Sequence, residues 1–266
     1  PEMLAYLWLL IEYKMNLLLI GGTASGKTTL LNAISFFIPP EARVVSIEDT
    51  RELNLPRENW LPSVARSATG LGNTGEIDMY ALLKASFRQN PDYVIVGEVR
   101  GKEASVLFQG MASGHSSIST IHADSVETVI KRLETPPIEL SPTLLNVIDS
   151  MCIMTHAIVD KRETRKLREI VEIVDVDPEG VAITNTPFVW NSMEDRFYFK
   201  KESKIFDKIS KRYGLTKNEL LREFSNRTKL LYKLYQDKIF RFHEVQGLVN
   251  EYYKKPEEVL KKFGVQ

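Results

Sequence analysis

The apolar run Leu17-Leu18-Leu19-Ile20 passes directly into Gly21-Gly22-Thr23-Ala24-Ser25-Gly26-Lys27-Thr28-Thr29, which has the spacing G-x-x-x-x-G-K-[ST]. Few local patterns constrain a fold as tightly, because this one requires a buried strand, a tight loop and a helix in that order. The glycines let the backbone approach a polyphosphate, and the N–H groups of the loop and of the helix's first turn point at its oxygens. Lys27 adds a cation for the terminal phosphates. Thr28 adds a hydroxyl suited to Mg²⁺, an ion that keeps its waters and takes few protein ligands when it rides on a nucleotide.

A strand feeding such a loop needs a sheet around it, and the 266 residues, 43% of them hydrophobic, suffice for a real core. Lys plus Arg and Asp plus Glu each total 35, so no overall basic field exists to hold nucleic acid by counterion release. Cys152 is the single cysteine, which excludes an internal disulfide and any cysteine-rich zinc site, and it reads as a small buried hydrophobe. Met3 to Ile11 is too short to span a bilayer, which takes about 20 apolar residues. The spacing of Leu4, Leu7, Trp8, Ile11 and Met15 predicts an amphipathic helix packed against the core.

Strand candidates then alternate with helices, the signature of a parallel sheet covered on both faces. Leu17 to Ile20 and a helix from Gly26 to Phe37 are followed by a strand at Val44 to Ile47, and Leu55 to Gly75 is turn-rich, with Pro56, Pro62, Gly70 and Gly72. A helix from Asp78 to Gln89 leads to Tyr93 to Val96, a continuous β-branched and aromatic run, and Ser117 to Ile121 makes a fourth strand. Ser125 and Ser141-Pro142 open short helices. Four β-rich segments follow, at Met151 to Val159, Leu167 to Val176, Val181 to Trp190 and Arg196 to Phe199, which extend or flank the sheet. From about Lys201 the chain is helical and charged. Thr216 to Glu219 matches a capping box there, and Pro256 opens a last helix.

In an open α/β sheet, ligands bind at the C-terminal edge of the strands, and two further strands deliver acids there. Ile47-Glu48-Asp49-Thr50-Arg51-Glu52-Leu53 supplies Glu48, and Val94-Ile95-Val96-Gly97-Glu98-Val99-Arg100 supplies Glu98. Two acids at one phosphate site suggest divided labour, one holding metal-bound water and the other accepting a proton from the attacking water. The order of the two roles stays open in the sequence. His122, at the end of the fourth strand, is placed to sense the terminal phosphate. Arg88, Arg100 and Arg132 are candidates to neutralise developing charge, within this subunit or across an interface.

These four blocks together resemble the secretion ATPase superfamily of type II secretion, type IV secretion, type IV pili and the archaellum. Gly21 to Thr29 is similar to its Walker A, Ile47 to Leu53 to its aspartate box, Pro91 to Gly101 to its Walker B and Ser119 to Ser125 to its histidine box. The wording Glu48-Asp49-Thr50, Gly97-Glu98-Val99-Arg100-Gly101 and Ser119 to Ser125, and the ending Tyr252 to Glu257, resemble the archaeal branch. With Cys152 alone, the chain lacks the four-cysteine module usual in the bacterial type II enzymes.

The resemblance implies an α/β, RecA-like ATPase core over residues 1–200 with a β-rich flank, and a C-terminal helical subdomain over 201–266. It implies ATP and Mg²⁺ held by Gly21, Gly22, Thr23, Ala24, Ser25, Gly26, Lys27, Thr28 and Thr29, with Thr28 and Glu98 at the metal. Glu98, Glu48, His122 and Arg100 are then the catalytic set. It further implies a hexameric ring at the cytoplasmic face of a polytopic membrane platform protein, driving secretion or filament assembly, while the neutral charge argues against direct contact to nucleic acid. The start at Pro1, without an initiator Met, reads as the C-terminal ATPase domain of a longer protein. The family draws some phosphate-binding arginines from its N-terminal domain, so this chain alone is expected to bind ATP, hydrolyse it slowly and remain monomeric.

Three other readings carry less. A DNA-handling motor of conjugative type IV secretion sits poorly with the neutral charge. A nucleotide-dependent switch of the GTPase type needs an N-K-x-D element, which the chain lacks. A small-molecule phosphotransferase is disfavoured by the order of the acidic and histidine blocks.

Overall fold

Every strand candidate named above falls in a strand of one sheet in the computed structural model, which describes residues 1–67, 75–200 and 202–265. In chain order the elements are α1 (Glu2–Glu12), β1 (Leu17–Gly21), α2 (Lys27–Ile34), β2 (Val44–Glu48), β3 (Trp60–Val64), α3 (Met79–Ser86), β4 (Tyr93–Val96), α4 (Glu103–Ala112), β5 (Ser116–Ile121), α5 (Val126–Glu134) and α6 (Pro142–Leu145). After them come β6 (Ser150–Val159), β7 (Arg162–Val176), β8 (Ala182–Asn191), β9 (Arg196–Phe199), α7 (Lys204–Tyr213), α8 (Lys217–Gln236), α9 (Phe242–Lys254) and α10 (Pro256–Lys262). The strand order is β3-β2-β4-β5-β1-β6-β7-β8-β9, so the strand feeding the phosphate loop lies in the middle.

From β3 through β6 the pairing is parallel, and every residue of β1, β2, β4 and β5 is buried, as befits strands with helices on both faces. At β6 the sheet changes character: it pairs parallel with β1 on one side and antiparallel with β7 on the other. The β-rich segment therefore extends the sheet and does not merely flank it. One apolar layer holds Leu107 and Phe108 of α4, Val129 and Ile130 of α5 and Leu145 of α6, and the opposite layer holds α1, Leu31 of α2 and the C-terminal helices.

The structure departs from the sequence expectations in four places. Within the turn-rich stretch, residues 60–64 form the edge strand β3, with Pro62 opposite Ser46. An edge is where a residue without an N–H can be accommodated. Gly70 and Gly72 lie outside the described residues. Helix α4 had no counterpart in the reading; its N-cap Lys102 makes no side-chain cap, and Glu103 instead accepts hydrogen bonds from the N–H groups of Arg100 (2.6 Å) and Gly101 (2.8 Å). Strand β7 begins at Arg162 rather than Leu167, because Arg162 to Lys166 pair with Val159 to Thr155 across a hairpin.

The fourth difference is α1, which is no amphipathic stripe. Ala5 through Ile11 are all completely buried, while Leu4 remains 37% exposed. The sheet covers one side of the helix and the C-terminal helices cover the other. Its polar atoms are matched accordingly: Tyr6 donates to Glu172 (2.6 Å), Trp8 Nε1 to Tyr253 (2.9 Å), and the Ile11 carbonyl accepts from Tyr93 (2.7 Å). Arg227 of α8, 3% exposed, pairs with Glu12 and lies over the rings of Trp8 (4.8 Å) and Tyr252 (5.4 Å). The predicted capping box at Thr216 and Glu219 is formed, and Pro256 occupies the first turn of α10. No described helix is long and apolar enough to cross a membrane.

Candidate functional site

The C-terminal ends of β1, β2, β4 and β5 open into a cavity of about 820 Å³, lined by Thr23 to Thr29, by Glu48 and Asp49, by Gly97, Glu98 and Arg100, and by Thr120 and His122. All four motifs thus converge on one place, as strand ends in a parallel sheet must when their loops fall on the same edge.

Gly21 closes the strand at φ 154°, where a β-carbon would fall 2.6 Å from both the Met154 carbonyl oxygen and Ser25 Oγ. Gly26 caps α2 in the left-handed region at φ 95°, and Ala24 takes φ 56°. The loop so formed folds Lys27 back on itself: its ammonium donates to the carbonyls of Gly21 (2.9 Å) and Gly22 (2.8 Å). Gly21 and Gly22 therefore hold the lysine, while the next seven residues line the cavity. Partial desolvation pulls the Lys27 ammonium below its usual range, with the Glu98 carboxylate opposing it. Thr28 is half-buried in the first turn of α2, and the Thr29 side is exposed.

Glu48 is 2% exposed. Its Oε1 accepts hydrogen bonds from the backbone N–H of Glu52 (2.8 Å) and Leu53 (2.9 Å), while Oε2 is buried with no partner among the described residues. Gly97 explains how the acid fits, because a β-carbon there would lie 3.1 Å from Glu48 Cγ. Glu98, past the end of β4, accepts from Arg100 Nη2 at 2.7 Å. That bond holds the Glu98 carboxyl below its ordinary range; burial opposes it, and the charges of Arg100, Lys27 and His122 assist. Arg100 also reaches Asp49 at 4.0 Å, so it ties the two acidic loops together.

His122 Nε2 lies 2.8 Å from Thr23 Oγ1, which joins the fourth block directly to the phosphate loop. Of the other arginines singled out, Arg132 donates to the His122 carbonyl (2.8 Å) and so supports that residue from behind. Arg88 is exposed on a 3₁₀ turn and does not line the cavity. Three groups at the rim were not anticipated: Arg66, the stretch Glu76 to Met79, and Arg165 of β7. No motif marks Arg165. Its strand lies two places from β1, a fact of topology alone.

Residues 1–187 match the family described as type II/IV secretion system protein. Over 253 residues the chain is 45% identical to "Uncharacterized protein MJ1287" of Methanocaldococcus jannaschii, covering 95% of this chain and 93% of that protein. It is 37% identical over 180 residues to the type IV secretion system protein PtlH of Bordetella pertussis, covering 64% of this chain and 52% of PtlH. The crystal structure of the VirB11 ATPase from the Brucella suis type IV secretion system superimposes with a TM-score of 0.55 at 27% identity, over 64% of this chain and 51% of VirB11. The chain thus spans about half the length of the two named secretion proteins. The α/β fold with a mostly parallel, RecA-like sheet is the one expected. Matched over more than two thirds of its length, the chain belongs to the type II/IV secretion system protein family.

Proposed function

We propose that the chain is the ATP-hydrolysing part of a motor that drives protein secretion or the assembly of a pilus- or archaellum-type filament. The observation that carries this reading is the convergence of Lys27, Glu48, Glu98 and His122, from four strand ends, on one cavity beside the N-terminus of α2. The loop N–H groups and Lys27 bind the polyphosphate. The buried, unpartnered Oε2 of Glu48 accepts the proton of the attacking water as the bond from the terminal phosphorus to the ADP oxygen breaks. His122, through Thr23, links the presence of that phosphate to the loop.

Mg²⁺ fits the donor set: no group of three acidic, His or Cys side chains forms a cage among the described residues, as suits an ion held mainly by phosphate and water. Thr28 and Glu98 would hold it, and when bound it neutralises charge on the β- and γ-phosphates. Arg100 keeps Glu98 ionised for that purpose.

The same reading divides the chain into a core at 1–200 and a helical subdomain at 201–266. It places the working protein in a hexameric ring, peripheral to the cytoplasmic face of a membrane platform protein, with further phosphate contacts supplied from outside this chain. Purified with ATP and Mg²⁺, the chain should be a slow ATPase and a monomer by light scattering; a fast, monodisperse hexamer would reject that part. Lys27→Ala should abolish nucleotide binding. Glu98→Gln should keep binding and lose turnover, and unchanged turnover would reject the role given to Glu98.

A further inference from the structure

The cavity has two flanks, and the four motifs account for only one of them. Glu98 and His122 hang from β4 and β5, on one side of β1. On the other side stand β6 and β7, and from β7 Arg165 lines the cavity. Its stem runs against the loop: a β-carbon on Gly26 would meet Arg165 Cδ at 3.3 Å and Met154 Cε at 3.5 Å. The register sets Met154 opposite Leu167 and His156 opposite Arg165, so Met154 and Arg165 share one face of the hairpin.

The neighbouring cations are already engaged. Lys166 pairs with Asp195 at 2.6 Å and Arg168 with Glu169 at 2.8 Å. Arg165 is exposed and has no ion pair or hydrogen bond among the described residues. A planar guanidinium at the cavity wall suits an aromatic ring, since guanidinium groups stack on aromatic faces.

We infer that Arg165 is the contact for the nucleoside end of the bound nucleotide, its guanidinium plane stacking on the base. This rests on the reading of the site given above. If the terminal phosphate lies toward Glu98 and His122, a polyphosphate stretched along the loop runs its nucleoside end toward the opposite flank, where Arg165 stands. The contact is then made equally to ATP and ADP, and it plays no part in breaking the terminal phosphate bond.

The experiment measures the affinities of ATP, ADP and tripolyphosphate for the unaltered chain, Arg165→Ala, Arg165→Lys and Lys27→Ala, together with turnover at saturating ATP. Arg165→Ala should weaken ATP and ADP by the same factor, about tenfold for a partly desolvated stack, and raise KM while kcat stays within about twofold. Tripolyphosphate should bind it as it binds the unaltered chain, and Arg165→Lys, which keeps the charge without the plane, should not restore the loss. The melting temperature should not move, because the side chain is exposed and makes no structural bond. Equal weakening of tripolyphosphate, or full rescue by lysine, would overturn the assignment to the nucleoside end. If Lys27→Ala loses nucleotide while Arg165→Ala binds it normally, this inference alone fails. If Lys27→Ala binds normally, the reading of the site fails with it.

Discussion

Glu48 and Glu172 are both buried carboxylates at sheet strands, 2% and 0% exposed, and they are used in opposite ways. Glu172 is saturated. Its Oε1 accepts from Tyr6 (2.6 Å), Ser203 Oγ and the Ile205 N–H (3.4 Å), and its Oε2 accepts from Asn185 Nδ2 (2.6 Å) and the Lys204 N–H (2.8 Å). It thereby binds α1, β7, β8 and the start of α7 into one unit. Glu48 satisfies one oxygen with two backbone N–H groups and leaves the other without a partner among the described residues. A buried polar atom without a partner is costly, and this one belongs to a residue that lines the nucleotide cavity, where a bound group can supply the partner. The first acid consolidates structure, and the second holds capacity in reserve.

The contrast breaks most visibly in turnover. Glu48→Gln keeps the oxygen that the Glu52 and Leu53 N–H groups need but removes the base. ATP hydrolysis should fall by about 10²- to 10⁴-fold while the thermal midpoint moves by less than about 2 °C. If that variant melted early, Glu48 would be a structural acid like Glu172.

Glu172→Leu should do the reverse. It strands the Tyr6, Ser203 and Asn185 donors, at a cost of about 3 kcal/mol or more. For a chain this long that lowers the midpoint by about 6–12 °C, and the ATP affinity of the remaining folded protein should be unchanged. Calorimetry and nucleotide titration on the same sample separate the two outcomes.

A smaller test concerns Glu98. Its carboxyl is held below the ordinary 4.5 by Arg100, so what its ionised form contributes is present above 4.5 and is lost only as pH falls through the lowered value. Arg100→Ala should move the acid limb of the pH–rate profile to higher pH. An unmoved limb would mean that Glu98 does not govern it.

The reserve side of the comparison was legible in the sequence and the structural side was not. Lys27, Glu48, Glu98 and His122 each lie in a contiguous stretch whose strand and loop are readable together, and the parallel sheet brings their ends to one edge. Glu172 and Arg227 carry no such signature, because their partners come from distant segments: Tyr6 lies 166 residues before Glu172. The same distance hid the second side of α1, whose cover is built by helices at the other end of the chain. Arg165 was missed for a local reason. The charged run Lys161 to Arg165 falls between two strand candidates, yet Arg162 to Arg165 pair along β6 and bring Arg165 to the phosphate loop. Pro62 likewise reads as a turn residue until the strand is seen to be an edge, and α4 begins without the cap that usually announces a helix.

The burial of α1 sets an order of events on the ribosome. Trp8 cannot meet Tyr253 until 245 further residues have been made, which at about 5–20 residues per second takes roughly 12–50 s. Through most of that interval Ala5 to Ile11, wholly enclosed in the finished protein, wait for α8, which brings Arg227 over Trp8, and then for α9, which brings Tyr253. Truncation before α8 would remove Arg227, Tyr252 and Tyr253 together and leave the second side of this helix uncovered.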